Sequence, residues 1–196
     1  MISAILLAAG QGSRMQYQAK ALLTLGDRTF VQHAVQQLRS AGIDDLIVVT
    51  GSQRDAVWAS AALTGVPLRE AYNKDYASGI LGSIQTGLRY CHPAADAVLI
   101  TLVDLPFLRA ADFQSACEAW QMGDPTLCLR SQSEGKPGHP VIIPRAYFQE
   151  ILEQPPGDKG CSFLFQRYPD RVRYHEIARA RIDIDTIENY HAHITS

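Results

Sequence analysis

Leu6-Leu7-Ala8-Ala9-Gly10-Gln11-Gly12-Ser13-Arg14-Met15, with Lys20 a short distance beyond, is the stretch that decides how this chain is read. It continues the apolar run Ile2–Leu7, which suits a strand buried on both faces. Ala8, Ala9, Gly10 and Gly12 are small enough for backbone N–H groups to approach an anion closely. Arg14 and Lys20 add two cations suited to a triphosphate, the guanidinium as a bidentate fork and the ammonium as a movable point charge. In open α/β sheets, ligands sit beyond the carboxyl ends of the strands, where this loop falls. Two familiar phosphate loops do not fit. The P-loop pattern is missing, and the dinucleotide fingerprint needs Gly where Met15 stands.

Outward from this loop, apolar runs alternate with amphipathic stretches, the pattern of an α/β fold with a mostly parallel sheet. Thr29 to Ala41 has helical spacing through Phe30, Val31, Ala34, Val35 and Leu38, and Gly42 ends it. Leu46–Thr50 reads as a second buried strand, Ala56–Leu63 as a helix and Pro67–Ala71 as a weak strand. Ser78 is placed to cap a helix running to about Tyr90. Ala97–Thr101 is a strand, Ala110–Met122 a helix and Thr126–Arg130 a strand. Ser131–Gly138 reads as a loop, Val141–Ile143 as a short strand and Pro155–Gly160 as a turn. Tyr174–Ile184 holds two short strands at best, and Thr186–Ala192 a closing helix.

Composition narrows the function. The chain has 196 residues, 46% of them apolar, enough for the core of one α/β domain. The net charge of -2, from 18 basic and 20 acidic residues, gives no surplus for binding nucleic-acid backbone. Cys91, Cys117, Cys128 and Cys161 lack zinc-site spacing and read as thiols in a reducing compartment. The apolar start has no basic n-region and is too short to span a bilayer, so no membrane role is expected and the cytoplasm is the expected location.

Asp104, in Leu102-Val103-Asp104-Leu105-Pro106, follows a strand and stands beside the phosphate loop. A carboxylate so placed is suited to Mg²⁺, which takes few protein ligands and leaves room for phosphate oxygens. Asp183 and Asp185, on one side of an alternating stretch, are candidates for a second carboxylate. Gly79 and Ser83 share one helix face, where small residues let a base or phosphate approach the helix start. Each residue also has a plain structural reading. Asp104 is a turn residue before Pro106, Asp158 caps a helix that follows it, Asp185 or Thr186 is a helix cap, and Gly87 serves helix–sheet packing.

The first loop resembles the signature of the nucleotidyltransferases that finish the molybdenum cofactor, within the MobA-like NTP transferases and the wider Rossmann-like sugar-phosphate nucleotidyltransferases. The resemblance runs over nearly the whole chain. It implies a Rossmann-like three-layer α/β/α fold in one domain, residues 1–196, with an NTP-binding part at about 1–110 and an acceptor-binding part at about 111–196. By this match Ala8, Ala9, Gly10, Gly12, Arg14, Lys20, Gly79 and Ser83 hold the nucleotide. Lys20, Arg14 and Asp104 are catalytic. Asp104 matches the metal-binding D-x-P turn, and Asp185 the late D-T-P-E-D segment, with Asp183 as the alternate. Gly138, His139 and Pro140, in Gly135-Lys136-Pro137-Gly138-His139-Pro140-Val141, match an acceptor-binding segment, and Asp158 matches a G-D-x-G turn. Gln16 replaces a usual Gly, Ile187 a Pro and Asn189 an Asp.

Ala9 and the Gly-His-Pro-Val run resemble the molybdenum cofactor cytidylyltransferase (MocA-like) branch. That branch implies CMP transfer from CTP to the molybdopterin cofactor with Mg²⁺ or Mn²⁺, and a molybdoenzyme or its chaperone as recipient. The alternatives are GTP as donor or another phosphorylated acceptor. An NAD(P)-dependent oxidoreductase would need an acidic residue closing the second strand, which instead ends Val49-Thr50-Gly51. A non-catalytic nucleotide-binding regulator or cofactor carrier would have no need of Asp104 and Asp185.

Overall fold

Strict alternation along the first strand divides the interior in two. In a computed structural model describing residues 1–11 and 19–194, Ile2, Ala4, Leu6 and Ala8 face one core, and Ile5, Leu7 and Ala9 face the other. This strand, β1 (Ile2–Leu7), is central. Parallel to it lie β4 (Asp45–Thr50) and β6 (Ala97–Leu102), with Leu7 opposite both Val49 and Leu102. Two short strands, β2 (Thr24–Leu25) and β3 (Arg28–Thr29), form a separate small hairpin. The main sheet has seven strands in the order β5-β4-β1-β6-β8-β7-β9, with β5 at Arg69–Tyr72, β7 at Cys128–Ser133, β8 at Lys136–Pro144 and β9 at Val172–Glu176. Only β8 runs against its neighbours. The result is an α/β Rossmann-like sheet, mostly parallel, as the alternation of elements predicts.

Helices cover both faces. On the first pack α1 (Phe30–Ser40), α2 (Arg54–Ala62) and α4 (Ala110–Gln121), through Phe30, Val57 and Phe113 among others. On the second pack α3 (Ile80–Leu88), α5 (Phe148–Glu153) and α6 (Ser162–Arg167), through Leu81, Ile84, Phe148, Ile151 and Leu164. A closing helix, α7 (Ile187–Ile194), adds Tyr190 to the first core. The start of α1 lies where the spacing predicts it. The Thr29 hydroxyl accepts from Gln32 N–H while the Gln32 side chain accepts from Thr29 N–H, satisfying two otherwise orphaned donors.

Several expected elements are corrected. Ser78 does not cap α3. It ends a short 3₁₀ turn, Tyr76–Ser78, and Gly79 at φ +111° turns the chain into the helix. Ser131–Gly138 is not a loop. Glu134 and Gly135, both at positive φ, make a tight turn between β7 and β8, a turn chemistry suited to hairpins. The short strand expected at Val141–Ile143 is the far end of the nine-residue β8. Polar residues in both strands hid the pairing from an apolar-pattern reading. Within Tyr174–Ile184 the strand β9 ends at Glu176, and of the two late helices only α6, which follows Asp158, is signalled by the sequence. Gly87 serves packing, since a Cβ there would lie 2.9 Å from two methyl carbons of Ile5.

Candidate active site

Register brings the pieces together. The chain beyond β1 and the chain beyond β6 leave the sheet side by side, joined by Val103 N–H to the Leu7 carbonyl at 3.1 Å. Asp104 thus stands next to Ala8 and Ala9, where a parallel sheet changes its direction of winding and opens a crevice. Residues 177–185 form a strap over this end. Ile177 N–H donates to Gln132 O, His139 N–H to Ala180 O and Ile184 N–H to Asp104 O, at 2.8, 3.0 and 2.9 Å. Arg179 adds a two-pronged contact to Asp112 on α4, at 2.8 and 2.9 Å. Gly138 permits the strap's approach, because a Cβ there would overlap the Ala180 carbonyl.

At the centre, Lys20 Nζ donates to Asp104 Oδ2 at 2.9 Å and also to Asp185 Oδ1. Burial disfavours the ammonium, but Asp104 and Asp185 outweigh it and raise the Lys20 pKa above its ordinary value. Asp185, rather than Asp183, reaches the lysine. The Asp183 carboxyl is raised by partial burial and then by the nearby charges of Asp185 and Asp104. The helix-cap role falls to Thr186, whose hydroxyl accepts from Asn189 N–H at 3.2 Å. Asp185 is therefore not needed as a cap.

A cavity of about 410 Å³ opens here. Of the residues singled out in the sequence, Ala8, Ala9, Gly10, Lys20, Gly79, Ser83, Asp104, Asp158 and Asp185 line it. Gly12 and Arg14 lie outside the described residues. Ser83 Oγ accepts from Asn73 Nδ2 at 3.0 Å, with both side chains buried. At Gly79 a Cβ would lie 2.6 Å from the Gly157 carbonyl oxygen and 2.7 Å from an Asp158 carboxylate oxygen. Its smallness thus admits the 157–158 turn. Asp158 is not the cap of α6, whose cap position is Cys161.

A second cavity of about 230 Å³ adjoins the first, sharing Ile80 and Asp158. Gly138 and His139 line it, whereas Pro140 is buried in β8 and lines neither cavity. His139 Nδ1 lies 3.3 Å from the Ile100 carbonyl, which can only accept, so Nδ1 carries the proton. Burial lowers the ring's pKa and favours its neutral form. That makes His139 a neutral hydrogen-bonding group rather than a phosphate-binding cation. Sequence reading missed Gln11 and Tyr76, which line the first cavity and hydrogen-bond at 3.3 Å. It also missed Arg130, Lys159 and Phe165 in the second. Tyr76 falls three residues before Gly79, already singled out, and that spacing was its only signal.

The carboxylates can be tested against a divalent metal. Among the described residues no cluster of three or more His, Cys, Asp and Glu side chains forms a metal cage. Asp104 Oδ1, however, is buried with no hydrogen-bond partner, at a cavity whose mouth also holds Asp185. An orphaned carboxylate oxygen is costly unless something binds it. Two carboxylates beside an open cavity fit a hard ion that keeps sites for phosphate oxygens and water.

A parallel α/β sheet with small residues, one lysine and two aspartates at its strand ends defines a nucleotidyltransferase-type protein. Residues 4–172 match the MobA-like NTP transferase domain, and the chain belongs to that family. It is 28% identical over 193 residues to nicotine blue oxidoreductase of Paenarthrobacter nicotinovorans, covering 95% of this chain and 93% of that protein. The crystal structure of Rv0371c from Mycobacterium tuberculosis H37Rv superposes with a TM-score of 0.83 at 27% identity, covering 100% and 97% of the two chains. A complex of Rv0371c with manganese matches at a TM-score of 0.79. A nucleotidyl transferase from Methanothermobacter thermautotroptrophicus shares the fold, with a TM-score of 0.83, 24% identity and coverage of 100% and 96%. Among the described residues no helix is long and apolar enough to cross a membrane.

Proposed function

We propose that this protein transfers CMP from CTP to the phosphate of a molybdopterin-type acceptor and releases pyrophosphate. The observation that carries the reading is the Lys20–Asp104–Asp185 cluster at the mouth of the first cavity, with Asp104 Oδ1 left unpaired. The nucleotide occupies the part of the domain built from about residues 1–110, against Ala8, Ala9, Gly10, Gly12, Gly79 and Ser83. The acceptor occupies the part built from about 111–196, against Gly138, His139 and Asp158. Asp104 and Asp185 hold Mg²⁺ or Mn²⁺, which when bound neutralises charge on phosphate oxygens.

An acceptor phosphate oxygen attacks the α-phosphorus, and the bond to pyrophosphate breaks in line. Lys20, with Arg14, stabilises charge on the α-phosphate and the departing pyrophosphate. Phosphate is already ionised near neutral pH, so no general base is required. His139, held neutral, serves orientation. Positioning by a rigid sheet edge supplies the remaining rate enhancement. A molybdoenzyme or its chaperone receives the product, a step checked by co-purification under cofactor-replete conditions.

The test is pyrophosphate release with CTP, GTP, ATP and UTP in turn, with Mg²⁺ and molybdopterin cofactor. CTP-selective, acceptor-dependent release is expected, and Asp104→Ala should abolish it in a folded protein. Release that is equal for all four nucleotides, or independent of acceptor, would sink the reading. A second reading is a redox enzyme. It is favoured by near-full-length similarity to a protein named an oxidoreductase. Reduction of a dye by nicotinamide cofactors, with no nucleotidyl transfer, would be its outcome.

A further inference from the structure

The second cavity contains a cation that the transfer chemistry does not use. Arg130 lies on β7, opposite Tyr174 of β9. Its guanidinium carbon sits 4.9 Å from the centre of the Phe165 ring, and the side chain lines the cavity. Nε is buried and donates to nothing. Among the described residues no carboxylate lies within ion-pair distance of it; of the other half-buried arginines, Arg69 and Arg179 have one, and Arg173 instead donates to the Ala119 and Trp120 carbonyls and lines neither cavity. Burial lowers the Arg130 pKa from its ordinary value, opposed by the Tyr174 hydroxyl, and an arginine so placed remains charged.

Half-buried and hydrogen-bonded by the Tyr174 hydroxyl, the guanidinium still lacks an anionic partner, which is costly for a partly desolvated charge. Ile80, Ile84, Val141 and Phe165 form the cavity's apolar walls, and Asp158 and Lys159 bring one charge of each sign to its lining. Cys161 is no nucleophile here, since burial pushes its thiol up to about 12. The cavity's 230 Å³ is below the roughly 300–1,000 Å³ of a whole ligand site. It therefore suits one end of a molecule whose other end lies in the adjoining cavity.

We propose that Arg130 recognises the acceptor, binding an anionic group carried on a flat nitrogen heterocycle, remote from the phosphate that joins the nucleotide. The proposal rests on the acceptor reading given above. Arg130 stacks on Phe165 and turns the guanidinium that lines the cavity to the anion. His139, protonated at Nδ1, offers Nε2 as an acceptor for a ring N–H.

The experiment is fluorescence titration of the protein with pterin-6-carboxylate and with uncharged 6-hydroxymethylpterin, in wild type, Arg130→Met, Arg130→Lys and Lys159→Met. Binding of Mg·CTP is measured separately by calorimetry. Wild type is expected to prefer the carboxylate by about tenfold or more, the worth of one charge-assisted hydrogen bond. Arg130→Met should lose that preference through weaker carboxylate binding alone, and Arg130→Lys should keep part of it. A merely structural arginine would weaken both probes equally. Equal affinities in wild type, no carboxylate binding, or a preference that survives Arg130→Met but not Lys159→Met would each overturn the assignment. Arg130-dependent discrimination without nucleotidyl transfer to molybdopterin would leave it standing and refute the function reading. Transfer without discrimination would do the reverse.

Discussion

Gly138→Ala is expected to damage turnover by displacing a carboxylate that is far from it in sequence. The added methyl would overlap the Ala180 carbonyl oxygen and lie 2.8 Å from the carbonyl carbon, where real Cβ atoms keep at least 3.0 Å. The obstacle is backbone, so no side chain can rotate away. Relief requires the strap to retreat by several tenths of an ångström to roughly 1 Å, and such overpacking costs about 1–3 kcal/mol. The His139 N–H to Ala180 O bond is the first contact to stretch, a further loss of about 1 kcal/mol. The strap leads directly to Ile184, tied to the Asp104 carbonyl, and to Asp185 on Lys20. A shift near 1 Å at reacting groups lowers rates on the order of 10²-fold. The assay is a urea melt beside CTP-dependent pyrophosphate release, with nucleotide binding by calorimetry. Stability should fall by about 2–4 kcal/mol, and turnover should drop far more than nucleotide affinity. A variant with wild-type stability and turnover would refute the view that the strap positions Asp185.

Lys20→Met is expected to lower turnover on the order of 10²-fold. It should also remove the Lys20 ammonium from Asp104 and Asp185, so that Mn²⁺ raises the variant's melting temperature more than the wild type's; an unchanged rate would remove Lys20 from the site. Gly87→Ala should cost about 1–3 kcal/mol by pressing on Ile5 and Val49 while leaving turnover near normal at low temperature, and a selective loss of nucleotide binding would contradict the packing role. His139 titrates below its ordinary 6.5 because burial disfavours imidazolium. The unfolded chain therefore binds that proton first, so stability is full above 6.5 and falls as pH drops below it, until the folded ring is itself protonated. Urea midpoints at about pH 7.5 and about pH 5.5 should differ less in His139→Gln than in wild type, with a residual slope from His33, whose pKa is also lowered by burial and then by Arg28. An identical difference in the variant would refute this.

What the sequence revealed follows the strength of its apolar pattern. Ile2–Leu7 is buried throughout, and its bounds are the same in sequence and structure. The helix after Thr29 was legible because its cap and its apolar spacing agree. The β7–β8 hairpin was not. Its strands carry Ser131, Gln132, Lys136 and His139, and the turn residues Glu134 and Gly135 read as part of a polar loop. In the site, Asp104 was visible because it follows a strand directly. Asp185 was visible only as one of two candidates, since which aspartate reaches Lys20 depends on the path of the strap. Arg130 gave no signal. As the last residue of the strand read over Thr126–Arg130 it looks like any solvent-facing end, and only packing of β9 and α6 makes it part of a cavity.

The central cluster also ties the site to the order in which the molecule comes together. Lys20 meets a partner 84 residues away and another 165 residues away. The second of these loops is longer than the 95 residues that separate the paired positions of β1 and β6 in the sheet, so closing it costs more entropy. The sheet can therefore be largely assembled while the site is still open. The strap after β9 is expected to open locally, separably from global unfolding. Hydrogen exchange at Ile184 N–H, set against that at Val48 in the middle of the sheet, would measure how often the folded protein is without an assembled site.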